Sequence, residues 1–157
     1  MSTTKPTKSS TSDTGYKVSF NVNGGSGTVS AITSSKTTTY TFSKWNTKSD
    51  GSGTNYSAGG SYTANAAATL YAQYTSSTSN GSITLPAAPT RDGYTFNGWY
   101  TAASGGTKAG AAGGSYTPTA AITLYAQWTE TPKPTYTITY NSNGTGVSNM
   151  PANQTKT

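Results

Sequence analysis

Residues 40–45 read YTFSKW and residues 94–99 read YTFNGW; residues 69–73 read TLYAQ, and so do residues 123–127. Between these blocks AGGSYT stands at 58–63 and again at 112–117. All three pairs are 54 residues apart. Laid together without gaps, 39–75 and 93–129 agree at 20 of 37 positions, more than a biased composition produces by chance. Such a period marks a repeat architecture, and the repeat governs every later reading. A second correspondence has another spacing: YKVSFNVNG at 16–24 and YTITYNSNG at 136–144 lie 120 residues apart. The chain therefore reads as one complete unit, one unit short of its opening strand, and one opening strand short of a unit.

The local signal has period two. Lys17 to Asn21 predicts a strand with Val18 and Phe20 on one face, and Asn23-Gly24-Gly25 predicts a tight turn. Thr37 to Ser43 predicts a strand carrying Tyr40 and Phe42 on one face. Trp45 is out of phase with that alternation, which predicts a bulge at Ser43–Lys44. Thr69 to Thr75 predicts a strand with Leu70 and Ala72 together. No segment has an apolar period of 3.6. The fold class expected is mostly β, in tandem small modules with little or no helix. The boundaries expected are a disordered tail at 1–14, a first module at 15–75, a linker at 76–82, a second module at 83–129, a linker at 130–135 and a partial third repeat at 136–157.

Only 31% of residues are hydrophobic and 9% charged, a balance that by itself points toward disorder. The 12 Tyr and 3 Trp point the other way, because each large aromatic buries about 150–250 Å² and can anchor a small core. With no Cys, disulfides and thiolate metal sites are excluded. No apolar run reaches the roughly 18–20 residues of a membrane span, so no membrane insertion is expected. Met1 to Thr14 contains no apolar signal-peptide core. The net charge of +6 comes from ten scattered basic residues against four acidic ones. A nucleic-acid binder would show a basic stripe; this distribution fits weak attraction to anionic polymers instead.

Catalysis has little to draw on. There is no His and no Cys, so a Ser/His/Asp arrangement is impossible. The acids are Asp13, Asp50, Asp92 and Glu130. Asp50 and Asp92 stand in SDGSG and RDGY, where Asp serves the turn itself. Nothing pairs two carboxylates as a glycosidase requires, and no set of oxygens suits calcium. No enzyme activity, cofactor or metal is expected. Among the aromatics and leucines, Tyr40, Phe42, Trp45 and Leu70, with their copies Tyr94, Phe96, Trp99 and Leu124, are expected to form the repeat core. Tyr56 and Tyr100 differ between copies, where Gly110 and Asn46 stand in their places, and are the candidate ligand-contacting residues. A partner would be a cell-surface glycan or protein.

NVNGGSG, YTFSKWNT and TLYAQY, then GYTFNGWYTAASGG and TLYAQW, resemble the Listeria–Bacteroides repeat, also called the internalin B-repeat-like family. The resemblance implies β-grasp-like modules with a small mixed sheet, in tandem on bacterial cell-surface proteins and in some phage virion proteins. It implies adhesion or spacing, at the cell surface or outside the cell. The second reading it implies is a phage decoration or tail-associated protein contacting the host surface or its glycans. The pattern is broken where an opening strand is missing ahead of Ile83-Thr84-Leu85. It stops again after Thr157, before any YTFxGW block. Tyr136 to Tyr140 is expected to fold back and complete the second unit, or to complete that unit in a neighbouring chain.

Overall fold

The structure, a computed structural model, describes residues 3–63 and 65–157. Met1 and Ser2 of the expected tail and Ala64 of the expected first module lie outside the described residues. Among the described residues there are strands and no helix. The strands are β1 (Thr11–Asn21), β2 (Ile32–Asn46), β3 (Asn55–Tyr56), β4 (Tyr71–Asn80), β5 (Ile83–Thr84) and β6 (Tyr94–Tyr100). They continue as β7 (Lys108–Gly110), β8 (Ser115–Tyr116), β9 (Ile122–Glu130), β10 (Tyr136–Ile138) and β11 (Gln154–Lys156). One mixed sheet runs in the order β3-β2-β1-β9-β6-β7, with β4 also paired to β2. Two small ladders, β5-β8 and β10-β11, stand apart from it.

The two copies of the 54-residue block build the same hairpin. β2 pairs antiparallel with β4, and β6 with β9. Each ladder slips at the expected bulge, between Phe42 and Lys44 in one and between Phe96 and Gly98 in the other. One extra residue there resets the alternation, so the Phe and the Trp three residues on come to one face. Phe42 and Trp45 lie 5.3 Å apart between ring centroids, and Phe96 and Trp99 lie 5.5 Å apart.

The opening strand goes to the second copy. β1 runs parallel to β9, with Val18 opposite Ile122 and Phe20 opposite Leu124. Val18 is fully buried, and the Phe20 ring meets Trp99 edge-on at 5.0 Å. The core is Val18, Ile83, Leu85, Trp99, Leu124 and Ala126. Among the described residues, no buried apolar pair covers the first copy as Ile83 and Leu85 cover the second. An opening strand carrying Val and Phe therefore buries more apolar surface on the second copy, at roughly 25 cal/mol per Å². Residues 16–34 and 83–129 form the complete unit. The β2–β4 hairpin is inserted into it, and its ends are tied where the Gly81 N–H donates to the Ser35 carbonyl at 2.7 Å.

Four expectations about the chain's organisation change accordingly. The second copy is not short of a strand. Tyr136–Ile138 does not complete it, because β1 already occupies that edge of β9; it pairs with β11 instead. Thr11–Thr14 is not tail but strand, pairing with residues 35–38 of β2. The passage expected as a linker at 76–82 is strand as far as Asn80, because the long β2 offers it partners back to Lys36. β1 stays continuous by a bulge at Gly15–Tyr16, where the buried Ser34 hydroxyl accepts from the Tyr16 N–H at 2.9 Å.

Candidate functional site

The turn after the opening strand does more than reverse the chain. Asn23 and Gly24 have φ of +47° and +84°, the left-handed pair that tight hairpin turns demand and Asn-Gly supplies. Held in that conformation, the Asn23 amide donates to the carbonyls of Ala103 (2.8 Å) and Ala126 (2.9 Å). It thereby fastens the turn to β9 and to the loop after β6. The Trp128 indole N–H donates to the Val22 carbonyl at 3.2 Å. Gly25 fits only because it has no side chain: a Cβ there would stand 2.6 Å from the Trp128 ring.

The loop after β6 is held from below. The Gln127 amide donates to the carbonyls of Ala102 (3.0 Å) and Gly105 (2.6 Å). Its copy, Gln73, does the same for Lys48 (3.4 Å) and Ser49 (3.1 Å). Arg91 completes the surroundings, with its guanidinium 3.8 Å from the Tyr94 ring centroid. Asn23, Arg91, Ala103, Ser104, Gln127 and Trp128 line an open polar cavity of about 220 Å³. A larger depression, about 580 Å³, lies between residues 26–32 and 86–90. It is apolar and carries no charged or aromatic side chain, whereas Arg91 and Trp128 stand in the wall of the smaller cavity. A planar guanidinium offering up to five N–H donors suits a carboxylate or a vicinal diol. Because Asn23 belongs to the opening strand's turn, the lining of this cavity depends on where that strand docks.

The inserted copy reveals a correspondence outside the 54-residue spacing. Pro6-Thr7-Lys8 repeats Pro89-Thr90-Arg91. Lys8 lies 4.0 Å above the Tyr40 ring as Arg91 lies above Tyr94, a cation–π contact in both cases. Residues 3–10 thus serve the inserted copy as residues 86–93 serve the complete one. The signal is three residues long and offset by 83 positions, which hides it from a search at a fixed period.

The two candidate contact residues are not brought together. Tyr56 lies on β3, opposite Trp45, and packs edge-on against Tyr62 at 5.1 Å. Tyr100 lies on β6, opposite Tyr125 and Lys108, near the other end of the sheet order. Neither lines the polar cavity. Where the copies differ at these positions, the local packing differs too. Leu85, nearly fully buried, fills the space beside Gly110, where a Cβ would stand 2.7 Å from its methyl carbon. In the inserted copy, Tyr56 stands in place of Gly110 and its ring packs against Tyr62. Asn46 is fully buried. Its amide donates to Gly51, Gly53 and Asn55, and its carbonyl accepts from the N–H groups of Lys48 and Gly53.

Of the expected core, Trp99 and Leu124 are fully buried, while Tyr40, Phe42, Trp45, Leu70, Tyr94 and Phe96 are half-buried. The acids stay dispersed: Asp13 on β1, Asp50 in the loop after β2, Asp92 in the turn before β6 and Glu130 at the end of β9. Asp50 accepts from the Ser52 N–H at 2.9 Å and from its hydroxyl at 2.8 Å. Those bonds, the backbone one first, hold its carboxyl below the ordinary carboxylate value. No cluster of three or more metal-ligating side chains occurs among the described residues.

A family model described as the Listeria-Bacteroides repeat domain matches residues 16–73 and again residues 74–127. The chain belongs to that family. The first matched span includes the opening strand that the structure pairs with β9 of the second span, so the sequence repeat and the folded unit do not coincide. Internalin H of Listeria monocytogenes serovar 1/2a (strain ATCC BAA-679 / EGD-e) is 52% identical over 68 residues. That match covers 41% of this chain and 12% of internalin H. No solved structure matches the chain.

Proposed function

We propose that this chain is a non-catalytic module of a bacterial surface protein, acting in adhesion or as a spacer. The observation that carries the reading is the double match to the repeat family, threaded into one continuous sheet whose four acids lie apart from one another. A sheet with repeated hairpins transmits load along its ladders and holds its neighbours at a fixed separation. The adhesive half of the reading has a definite surface, the cavity around Arg91 and Trp128, with the +6 charge drawing anionic polymers toward it. The candidate partner is a cell-surface glycan carrying carboxylates or phosphates.

The test is a glycan array probed with the labelled chain at low and physiological salt, repeated with Arg91→Ala, Tyr56→Ala and Tyr100→Ala. Adhesion through the cavity predicts retention on anionic glycans that R91A abolishes. Loss with Y56A or Y100A instead would move the contact surface to those residues. Retention unchanged in all three variants would contradict every contact surface named here. Turnover of any arrayed glycan would contradict the non-catalytic reading.

A further inference from the structure

The inserted copy has no opening strand along β4, and Tyr136–Asn141 carries the side-chain pattern of one. In the complete unit, β1 covers β9 from Ile122 onward, and β9 begins there. The residue of the inserted copy matching Ile122 is Ala68, yet β4 begins only at Tyr71. The three residues lost from the ladder are those that the parallel neighbour supports in the complete unit. Leu70 and Trp45 are left half-buried where Leu124 and Trp99 are sealed, and Tyr71 is 41% exposed.

The C-terminal hairpin is the matching piece. β1 meets β2 with Lys17 opposite Thr33 and Val18 opposite Ile32. β10 meets β11 with Thr137 opposite Thr155 and Ile138 opposite Gln154. Its first strand thus repeats β1 in sequence, and like β1 it pairs antiparallel with the strand that follows. Its apolar side chains are exposed: Tyr136 by 65%, Ile138 by 45% and Tyr140 by 39%, and in the connection Val147 by 53% and Met150 by 40%. β10 pairs with β11 alone, and the open edge of the inserted copy in the same chain is not taken up by it.

We propose that the C-terminal hairpin of one copy of this chain docks on the inserted copy of another. Ile138, Thr139, Tyr140 and Asn141 lie parallel to Ala68, Thr69, Leu70 and Tyr71, the register that Val18 to Asn21 keep with Ile122 to Tyr125. Ile138 and Tyr140 then cover Leu70 and Trp45 as Val18 and Phe20 cover Leu124 and Trp99. Backbone bonds supply affinity and the two side chains supply register, as in strand addition generally. Donor and acceptor are different surfaces, so the contact is heterologous and propagates head to tail. This association is independent of whether the module binds a glycan.

The chain's lack of cysteine makes the test clean. Thr69→Cys and Thr139→Cys chains, mixed and oxidised, should form disulfide-linked dimers with each other. Thr139→Cys mixed with Thr123→Cys should not, because β1 already occupies that edge. In sedimentation equilibrium the weight-average mass of the unmodified chain should rise with concentration. Ile138→Asp should flatten that rise while leaving thermal unfolding of the lone chain unchanged. A mass that stays at one chain up to the solubility limit overturns the proposal. So does a chain bearing both T69C and T139C that closes only on itself.

Discussion

The two copies of one sequence block differ in what covers them. At Trp99, Leu124 and Ala126 the second copy is sealed; at the matching Trp45, Leu70 and Ala72 the first is half-open. The hairpins, the bulges and the Phe–Trp contacts are alike in both. What separates them is the opening strand and the apolar Ile83 and Leu85. The block encodes a hairpin with one apolar face, and a neighbouring strand and segment decide whether that face becomes a core. The inserted copy has local devices instead, namely the Asn46 amide network, the Tyr56–Tyr62 pair and the Lys8 ammonium over Tyr40.

The comparison can be broken first at the tryptophans. Trp99→Ala empties a sealed core and should cost about 3–5 kcal/mol, whereas Trp45→Ala should cost less than half as much. Urea unfolding of both variants measures it, and equal losses would mean that the copies are equally packed. Next comes Asn46→Ala, which leaves the carbonyls of Gly51 and Gly53 and the N–H groups of Lys48 and Gly53 without their partner. A loss of about 1–3 kcal/mol is expected, and Asn46→Tyr, the residue of the other copy, should not restore it.

Gly110→Ala sharpens the same contrast from the other side. Its new methyl meets Leu85, so the variant should lose about 1–3 kcal/mol by overpacking. Adding Leu85→Val should recover part of that loss, a coupling that a double-mutant cycle reads directly. The smallest effect belongs to Asp50. Its carboxyl is held below the ordinary value in the folded state, so its contribution is complete above the unfolded value near 3.8 and is lost as pH falls through the folded one. Asp50→Asn should therefore lower the urea midpoint slightly at pH 6 and make no difference at pH 2.

Much of the fold was legible. The 54-residue spacing, the strands around Phe20, Phe42 and Ala72, the Asn23-Gly24 turn and the bulge before Trp45 all follow from side-chain alternation and backbone chemistry, although Thr69 and Leu70, expected in the strand, precede β4. The pairing of β1 was not, because parallel partners far apart in the chain leave no periodic trace and the sequence order suggested the nearer copy. The lengths of β1 and β4 were missed for a related reason. Ser/Thr-rich runs such as 76–80 resemble linkers, and they become strand here because the long β2 offers them hydrogen-bond partners. At the candidate cavity only Trp128 was singled out by its residue type. Asn23 and Gln127 act through carbonyls that folding brings to them, and Arg91 is marked only by the short Pro-Thr-Arg echo of residues 6–8.

The central claim is that the opening strand belongs to the second copy. Adjacent strands place paired Cα atoms within the 4.4–6.8 Å that a disulfide spans, and Ser19 stands opposite Thr123. A chain carrying Ser19→Cys and Thr123→Cys should close that disulfide within one molecule on mild oxidation, while Ser19→Cys with Thr69→Cys, the matching position of the first copy, should remain reduced. Closure of the 19–69 pair and failure of the 19–123 pair would show two repeats folded in sequence order, and would contradict the account.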